Sequence, residues 1–146
     1  MATTQSADRL IRQMLDLNRR KQSREVDEAV LVECIEACVA CEEVCTACAD
    51  ACLGEPDVAE LVKCIRLCLD CTVVCEATRQ IVTRQTEIDL DLCRAQVTTC
   101  AQACRTCAAE CRRHASHHEH CRICAETCQR CEDACNQLLK AVSTLP

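Results

Sequence analysis

Apolar positions recur at intervals of three and four residues along four segments of the chain, and most of them are cysteines. The longest run is CIEACVACEEVCTACADAC at residues 34–52, in which six cysteines are separated by intervals of four, three, four, three and four. The same spacing returns in CIRLCLDCTVVC (64–75), CAQACRTCAAEC (100–111) and CRICAETCQRCEDAC (121–135). Alternating intervals of three and four keep side chains on one face of an α-helix. Each segment therefore predicts a helix that carries a stripe of cysteines.

Capping signals define where these helices begin and end. Ser23 is a candidate N-cap for the first long helix, and Gly54, the single glycine, is a candidate end. Three further starts are predicted from an N-cap residue followed three positions later by an acid: Asp57 with Glu60, Thr86 with Asp89, and Ser116 with Glu119. The predicted helices span residues 24–53, 58–84, 87–113 and 117–143. Each is about 40 Å long at the usual rise per residue.

The connections between these helices are short, and this predicts the fold class. Long helices joined by a few residues must run antiparallel to their neighbours, so the chain is expected to be all-α, an up-down-up-down four-helix bundle with a cysteine-lined core. A short amphipathic helix is predicted in residues 1–22, packed on a metal-storage bundle of residues 23–146. Its apolar side chains are Leu10, Ile11, Met14, Leu15 and Leu17.

Extending each stripe beyond its last cysteine distinguishes the two ends of the bundle. Toward one end, called the aliphatic end, the stripes continue as Leu31, Val82, Leu90, Leu138 and Val142. Toward the other, called the polar end, they continue as Glu55, Asp57, His114 and His117. One end is therefore expected to be closed by aliphatic packing, and the other to carry candidate metal ligands.

Composition and charge exclude several classes of protein. The chain has 20 cysteines, no aromatic residue, 1 glycine and 2 prolines, which favours helices over strands. The formal charge is −6, and the only basic run, RRKQSR at 19–24, is short, so neither nucleic-acid nor anionic-membrane binding is expected. The N-terminal residues show no apolar export signal and no membrane span is expected, which predicts a cytoplasmic protein with reduced thiols.

Two non-metal explanations account poorly for the thiols. Cysteine can serve as a small buried hydrophobe, but alanine, valine or leucine would fill a heptad core without redox liability. Disulfides along a stripe would be strained, because side chains three or four apart on a helix have Cβ atoms about 5–6 Å apart whereas a disulfide needs roughly 3.5–4.5 Å. Bridges between helices are possible in principle, but a reducing cytoplasm disfavours them.

Metal binding is the remaining explanation, and charge favours one metal. Zinc and iron–sulfur clusters both prefer four thiolates. Twenty thiolates with five Zn²⁺ would leave ten uncompensated negative charges in the core, whereas twenty Cu(I) would leave none. Cu(I) is soft and accepts two or three thiolates, and one sulfur can bridge two ions. A core of paired thiols is therefore expected to hold about 10–20 Cu(I) ions per chain.

Two other functional classes remain open from the residues alone. A thiol redox enzyme or sensor normally has one or two distinctive cysteines of low pKa, whereas these stripes resemble one another, so no enzymatic activity is expected. A zinc or iron–sulfur regulatory module would have fewer, closed sites. Neither class is supported by a recognisable motif.

The four stripes of CxxxC and CxxC repeats, with histidines at one end, resemble the bacterial copper storage proteins, specifically the cytosolic type. The resemblance covers residues 24–143 and implies a bundle that binds many Cu(I) ions, commonly assembles as a homo-tetramer and exchanges copper with a cytosolic donor or acceptor protein. It also implies that ligands at the open end include His114, His117 and Asp57. Leu61 and Val97 depart from the pattern, because each interrupts a stripe where a thiol would fit.

The complete predicted ligand set combines these residues with every cysteine. The predicted thiolate ligands are Cys34, Cys38, Cys41, Cys45, Cys48, Cys52, Cys64, Cys68, Cys71, Cys75, Cys93, Cys100, Cys104, Cys107, Cys111, Cys121, Cys124, Cys128, Cys131 and Cys135. Asp57 also has an alternative role as a helix N-cap. His118 and His120 fall off the stripe and are expected to be solvated.

Overall fold

The computed structural model describes residues 6–19 and 26–145, and the regular secondary structure in these ranges is entirely helical. Five α-helices follow in order: α1 (Ala7–Leu17), α2 (Glu28–Leu53), α3 (Val62–Thr83), α4 (Leu90–His114) and α5 (Glu119–Ser143). A 3₁₀ turn, Val58–Glu60, lies between α2 and α3, and no strand occurs in the described ranges. The predicted all-α class is confirmed.

Each long helix packs along two others and turns its cysteines toward them. α2 lies against α3 and α5, α4 lies against the same two helices, and α1 contacts α2. All twenty cysteines are buried in the core that these helices enclose. The predicted cysteine-lined core is confirmed. Among the described helices, none has the length and apolar character needed to cross a membrane.

The first and third long helices begin later than predicted, because aspartates nearer to the helices cap them. The Asp27 carboxylate accepts a hydrogen bond from the Ala29 backbone N–H at 2.9 Å, so α2 starts at residue 28 rather than 24. Asp89 accepts from the Leu92 backbone N–H at 3.0 Å and replaces Thr86 as the N-cap of α4. The predicted cap Ser23 lies outside the described residues.

The other two predicted caps are wrong for a different reason. Asp57 makes no side-chain capping bond, since the chain after it forms the 3₁₀ turn and α3 begins only at Val62. Ser116 lies in the turn after α4, and the N-cap position of α5 is His118. These two connections are therefore longer than predicted, and their polar side chains are free to pair across the polar end.

The N-terminal helix buries only part of its apolar surface. Leu15 is buried and Ile11 packs against the core, whereas Leu10, Met14 and Leu17 are exposed. Of the predicted segment 1–22, residues 1–5 and 20–22 lie outside the described residues.

The aliphatic end is closed as predicted. Leu31, Val82, Leu138 and Val142 are buried, and Leu90 is partly buried against the same cluster. Gln85 is also buried at this end, where its Nε2 donates to the Val82 carbonyl at 2.6 Å. The buried leucine and valine side chains therefore close the aliphatic end mainly by hydrophobic packing.

Candidate metal centre

Most of the buried cysteines contact one another as free thiols. Their sulfur atoms approach to 3.5–4.0 Å, for example 3.5 Å between Cys45 and Cys128 and 3.9 Å between Cys38 and Cys100. A disulfide requires about 2.05 Å, so these sulfurs are in contact without being bonded. All twenty cysteines are free, which excludes a disulfide scaffold for this structure.

Sulfurs from different helices gather into groups of four. In each group the ligand atoms lie within 4.8 Å of one another. Five of these groups are Cys38–Cys100–Cys131–Cys135, Cys41–Cys45–Cys71–Cys128, Cys41–Cys75–Cys104–Cys131, Cys45–Cys107–Cys124–Cys128 and Cys48–Cys64–Cys68–Cys111. A single stripe supplies the spacing, but the groups form only because the four long helices bring their stripes together.

Several sulfurs belong to more than one group, which limits how the groups can be filled. Cys41, Cys45, Cys128 and Cys131 each occur in two of the groups above. Separate tetrahedral ions need four ligands each and cannot occupy all of these groups at once. Ions that share bridging sulfurs can do so.

The sulfur–sulfur distances suit metal coordination without rearrangement of the helices. A first-row metal–thiolate bond is about 2.3 Å, which places the sulfurs of tetrahedral or trigonal sites about 3.8–4.0 Å apart. Contacts along single stripes fall in this range, at 3.7 Å for Cys41 and Cys45 and 4.0 Å for Cys107 and Cys111. Cys71 and Cys75 are also in contact, at 3.9 Å, so three CxxxC pairs have touching sulfurs and contacts across helices join them to other thiols.

Burial makes proton release part of metal binding at several of the thiols. Burial raises the pKa of the Cys93 thiol, and it raises the pKa of Cys52 to about 11. Burial likewise raises the pKa of Cys121. A metal ion must displace these protons to obtain thiolate ligands, so metal binding is coupled to pH.

At the polar end, an imidazole joins the thiols. His120 Nδ1 lies 3.4 Å from Cys48 Sγ, 3.5 Å from Cys121 Sγ and 4.0 Å from Cys52 Sγ. On the other side of the ring, His120 Nε2 is 3.1 Å from Glu55 Oε1. The ring therefore links the core thiols to an acidic side chain at the surface.

A second imidazole pairs with the acids of the same end. His118 Nε2 donates to Asp57 Oδ2 at 2.9 Å, and its Nδ1 lies 3.5 Å from Glu55. The Asp57 carboxylate raises the pKa of His118, and hydrogen bonding to His118 lowers the pKa of Asp57. The His118 and His120 rings stack with centroids 5.4 Å apart. The polar end is therefore a connected cluster of acids, imidazoles and thiols.

The structure brings a different pair of histidines to this end from the pair predicted. His117 is exposed, and His114 Nε2 pairs with the buried Glu110 at 3.1 Å. The expectation that His118 and His120 are solvated is wrong, because the chain turns between α4 and α5 and directs them inward. A stripe extended through this turn as if the chain were helical selects His117 instead. The position of His120 immediately before Cys121 is the signal that could have identified it.

The two residues that interrupt the stripes, Leu61 and Val97, are fully buried. They occupy core positions as aliphatic side chains and supply no thiolate there. Leu61 lies just before α3, toward the polar end, and Val97 lies between Cys93 and Cys100 on α4.

The fold and the site together define a class of protein: a helical metal–thiolate protein whose core is filled with sulfur ligands. Residues 27–140 match the family model described as copper storage protein. The chain belongs to this family.

Solved structures of similar proteins agree with this assignment. The copper storage protein Ccsp from Streptomyces lividans, loaded with 10 copper equivalents, shares 46% identity over 90% of this chain and 98% of that chain, with a TM-score of 0.87. A cytosolic copper storage protein from Streptomyces lividans, with five coppers, shares 52% identity over 77% of this chain and 93% of that chain, with a TM-score of 0.76. The Cu(I)-bound copper storage protein BsCsp3 shares 31% identity over 73% of this chain and 94% of that chain, with a TM-score of 0.65. No curated protein matches the chain.

Proposed function

We propose that this chain stores Cu(I) ions as thiolate complexes along its helical core, with about 10–20 ions per chain. The observation that carries the proposal is the sharing of sulfurs between overlapping groups, as at Cys41 and Cys128. Shared sulfurs suit a soft monovalent ion that accepts bridging thiolates. Ten ions can each bind two thiolates that no other ion shares, whereas more than ten ions require thiolates that bridge two ions.

Charge favours the same ion. The core cysteines are almost completely removed from water. A thiolate core filled with Cu(I) is neutral when ions and thiolates are equal in number, whereas tetrahedral Zn²⁺ sites each keep a charge of −2. Uncompensated charge in a buried site costs several kcal/mol per ion even after relaxation. Storage of many Zn²⁺ ions in this core is therefore disfavoured.

The capacity can be measured by titrating the reduced protein anaerobically with Cu(I) against a chromophoric competitor. We expect saturation at ten or more ions per chain, and no more than five tightly bound ions in a parallel titration with Zn²⁺. Saturation with Cu(I) below about five would contradict storage and favour a small-site regulatory protein.

We further propose that copper enters at the polar end, since the aliphatic end is sealed by buried leucine and valine. His120 contacts both core thiols and Glu55, and His118 pairs with Asp57, so these groups form a path from the surface to the core. Asp57 and His114, both predicted as ligands, bind copper transiently outside the core. His117 is exposed, so it is the first of these histidines to contact incoming ions.

Several broader features follow from membership of the family and belong to the same proposal. The helices form an antiparallel up-down-up-down four-helix bundle of residues 23–146, with residues 1–22 as an N-terminal appendage. The paired thiols support this topology, since Cys38 contacts Cys131 while Cys45 contacts Cys124. The protein acts in the cytosol as a homo-tetramer, receives copper from a donor protein and returns it to an acceptor, and has no catalytic role.

A further inference from the structure

One group of ligand atoms at the polar end differs chemically from the groups in the core. It combines three thiols with a nitrogen, because His120 Nδ1 lies within 3.4–4.0 Å of the sulfurs of Cys48, Cys52 and Cys121. The Cys121 thiol also interacts with those of Cys48 and Cys52. Two ligands come from the end of α2 and two from the first turn of α5. Three sulfurs and one imidazole form a ligand set that tetrahedral Zn²⁺ commonly takes in proteins.

Glu55 provides the outer contact that such a site requires. A metal-ligating histidine usually donates its second ring N–H to a carboxylate, which fixes both the tautomer and the orientation of the ring. Here His120 Nε2 lies 3.1 Å from Glu55 Oε1. When Nε2 donates to this carboxylate, the lone pair of Nδ1 points toward the thiols. Glu55 is therefore a positioning residue for His120.

Charge and solvation distinguish this site from the core groups for a divalent ion. Zn²⁺ with three thiolates and a neutral imidazole carries a charge of −1, whereas Zn²⁺ with four thiolates carries −2. The thiols of Cys48, Cys52 and Cys121 are as buried as those of the core. The His120 side chain is 24% exposed and that of Glu55 is 29% exposed, so water reaches this site on its imidazole side. Residual charge costs less where water is close. The first Zn²⁺ ion is thus expected to prefer the polar end.

We propose that the copper-free protein binds one Zn²⁺ at the polar end through Cys48, Cys52, Cys121 and His120, with Glu55 holding the imidazole. The site goes beyond copper storage, because it uses a different metal and a mixed ligand set. Bound Zn²⁺ occupies the proposed entrance, and Cu(I), which binds thiolates more strongly, displaces it during loading.

X-ray absorption fine structure at the zinc K edge tests this ligand set directly. The reduced, copper-free protein receives one equivalent of Zn²⁺ per chain. We expect three sulfur scatterers and one imidazole, the latter recognised by the multiple scattering of its ring. A first equivalent bound by sulfur alone would overturn the proposal, since it would place the ion in a core group.

Two variants and a control make the assignment specific. His120→Ala should abolish the imidazole signal, and Glu55→Gln should keep it while weakening Zn²⁺ binding about tenfold in competition with a chromophoric chelator. Glu119→Gln, which changes an exposed acid at the same end, should alter neither. Circular dichroism checks that each variant is folded. Unchanged affinity in the Glu55 variant, or a persistent imidazole signal in the His120 variant, would refute the site, whereas the copper titration tests storage independently.

Discussion

Replacing Leu138 with alanine tests whether the aliphatic end is a structural seal that contributes to stability without metal. Leu138 is 3% exposed and lies in the buried cluster with Val82 and Val142. The substitution removes three carbons, which accounts for about 2.4 kcal/mol at roughly 0.8 kcal/mol per buried methylene. The cavity adds to this cost, and measured losses for buried leucines are about 2–5 kcal/mol. At about 3 °C per kcal/mol for a chain of this size, the melting temperature should fall by roughly 6–15 °C.

The assay is chemical and thermal unfolding of the reduced, copper-free protein, followed by far-UV circular dichroism. Leu53→Ala is the matched control, because Leu53 ends α2 but is 61% exposed, and its loss should cost less than about 0.5 kcal/mol. Copper capacity should be unchanged in both variants, since neither removes a thiol. Equal losses of stability in the two variants, or faster copper loading in Leu138→Ala, would refute the assignment of the sealed end.

Three further predictions concern metal and pH. His120→Ala should weaken Zn²⁺ binding at the polar end about 10–100-fold. In stopped-flow transfer of Cu(I), it should also slow copper loading more than His117→Ala does. A larger effect of His117→Ala on loading would favour His117, the histidine predicted from the sequence, as the entry ligand. The copper-free protein should already be helical by circular dichroism and should melt at a higher temperature once loaded, because copper binds the native state; a random coil without copper would contradict this. Copper affinity should fall with falling pH, about tenfold per pH unit for each proton displaced, because burial raises the pKa of thiols such as Cys93; affinity independent of pH in a competition titration would argue against protonated thiols.

The heptad spacing was sufficient to predict the helices and the face that each one buries. Each stripe has a period set by helix geometry, and a cysteine such as Cys71 contacts the stripes of two other helices, at Cys41 and Cys104. The aliphatic end could be predicted for the same reason, because Val82 and Leu138 continue the stripes within α3 and α5. Periodicity is reliable wherever the helix itself continues.

The polar end could not be predicted in the same way, because the helices stop there. Between α4 and α5 the backbone turns after His114, so a stripe extrapolated through this turn selects His117 instead of His120. The local sequence of Asp57 predicts a helix cap, but its carboxylate accepts a hydrogen bond from His118, sixty-one residues later in the chain. Contacts of this kind depend on how the two connections meet in space, and no local pattern records them.

Native mass spectrometry of the reduced protein loaded anaerobically with Cu(I) tests copper storage most directly, because it counts the ions bound to each chain. The shared sulfurs of the core predict species that extend to at least ten copper ions per chain, with each Cu(I) replacing a thiol proton in the measured mass. A distribution that ends at five ions or fewer, with the remaining thiols still protonated, would contradict the proposed store.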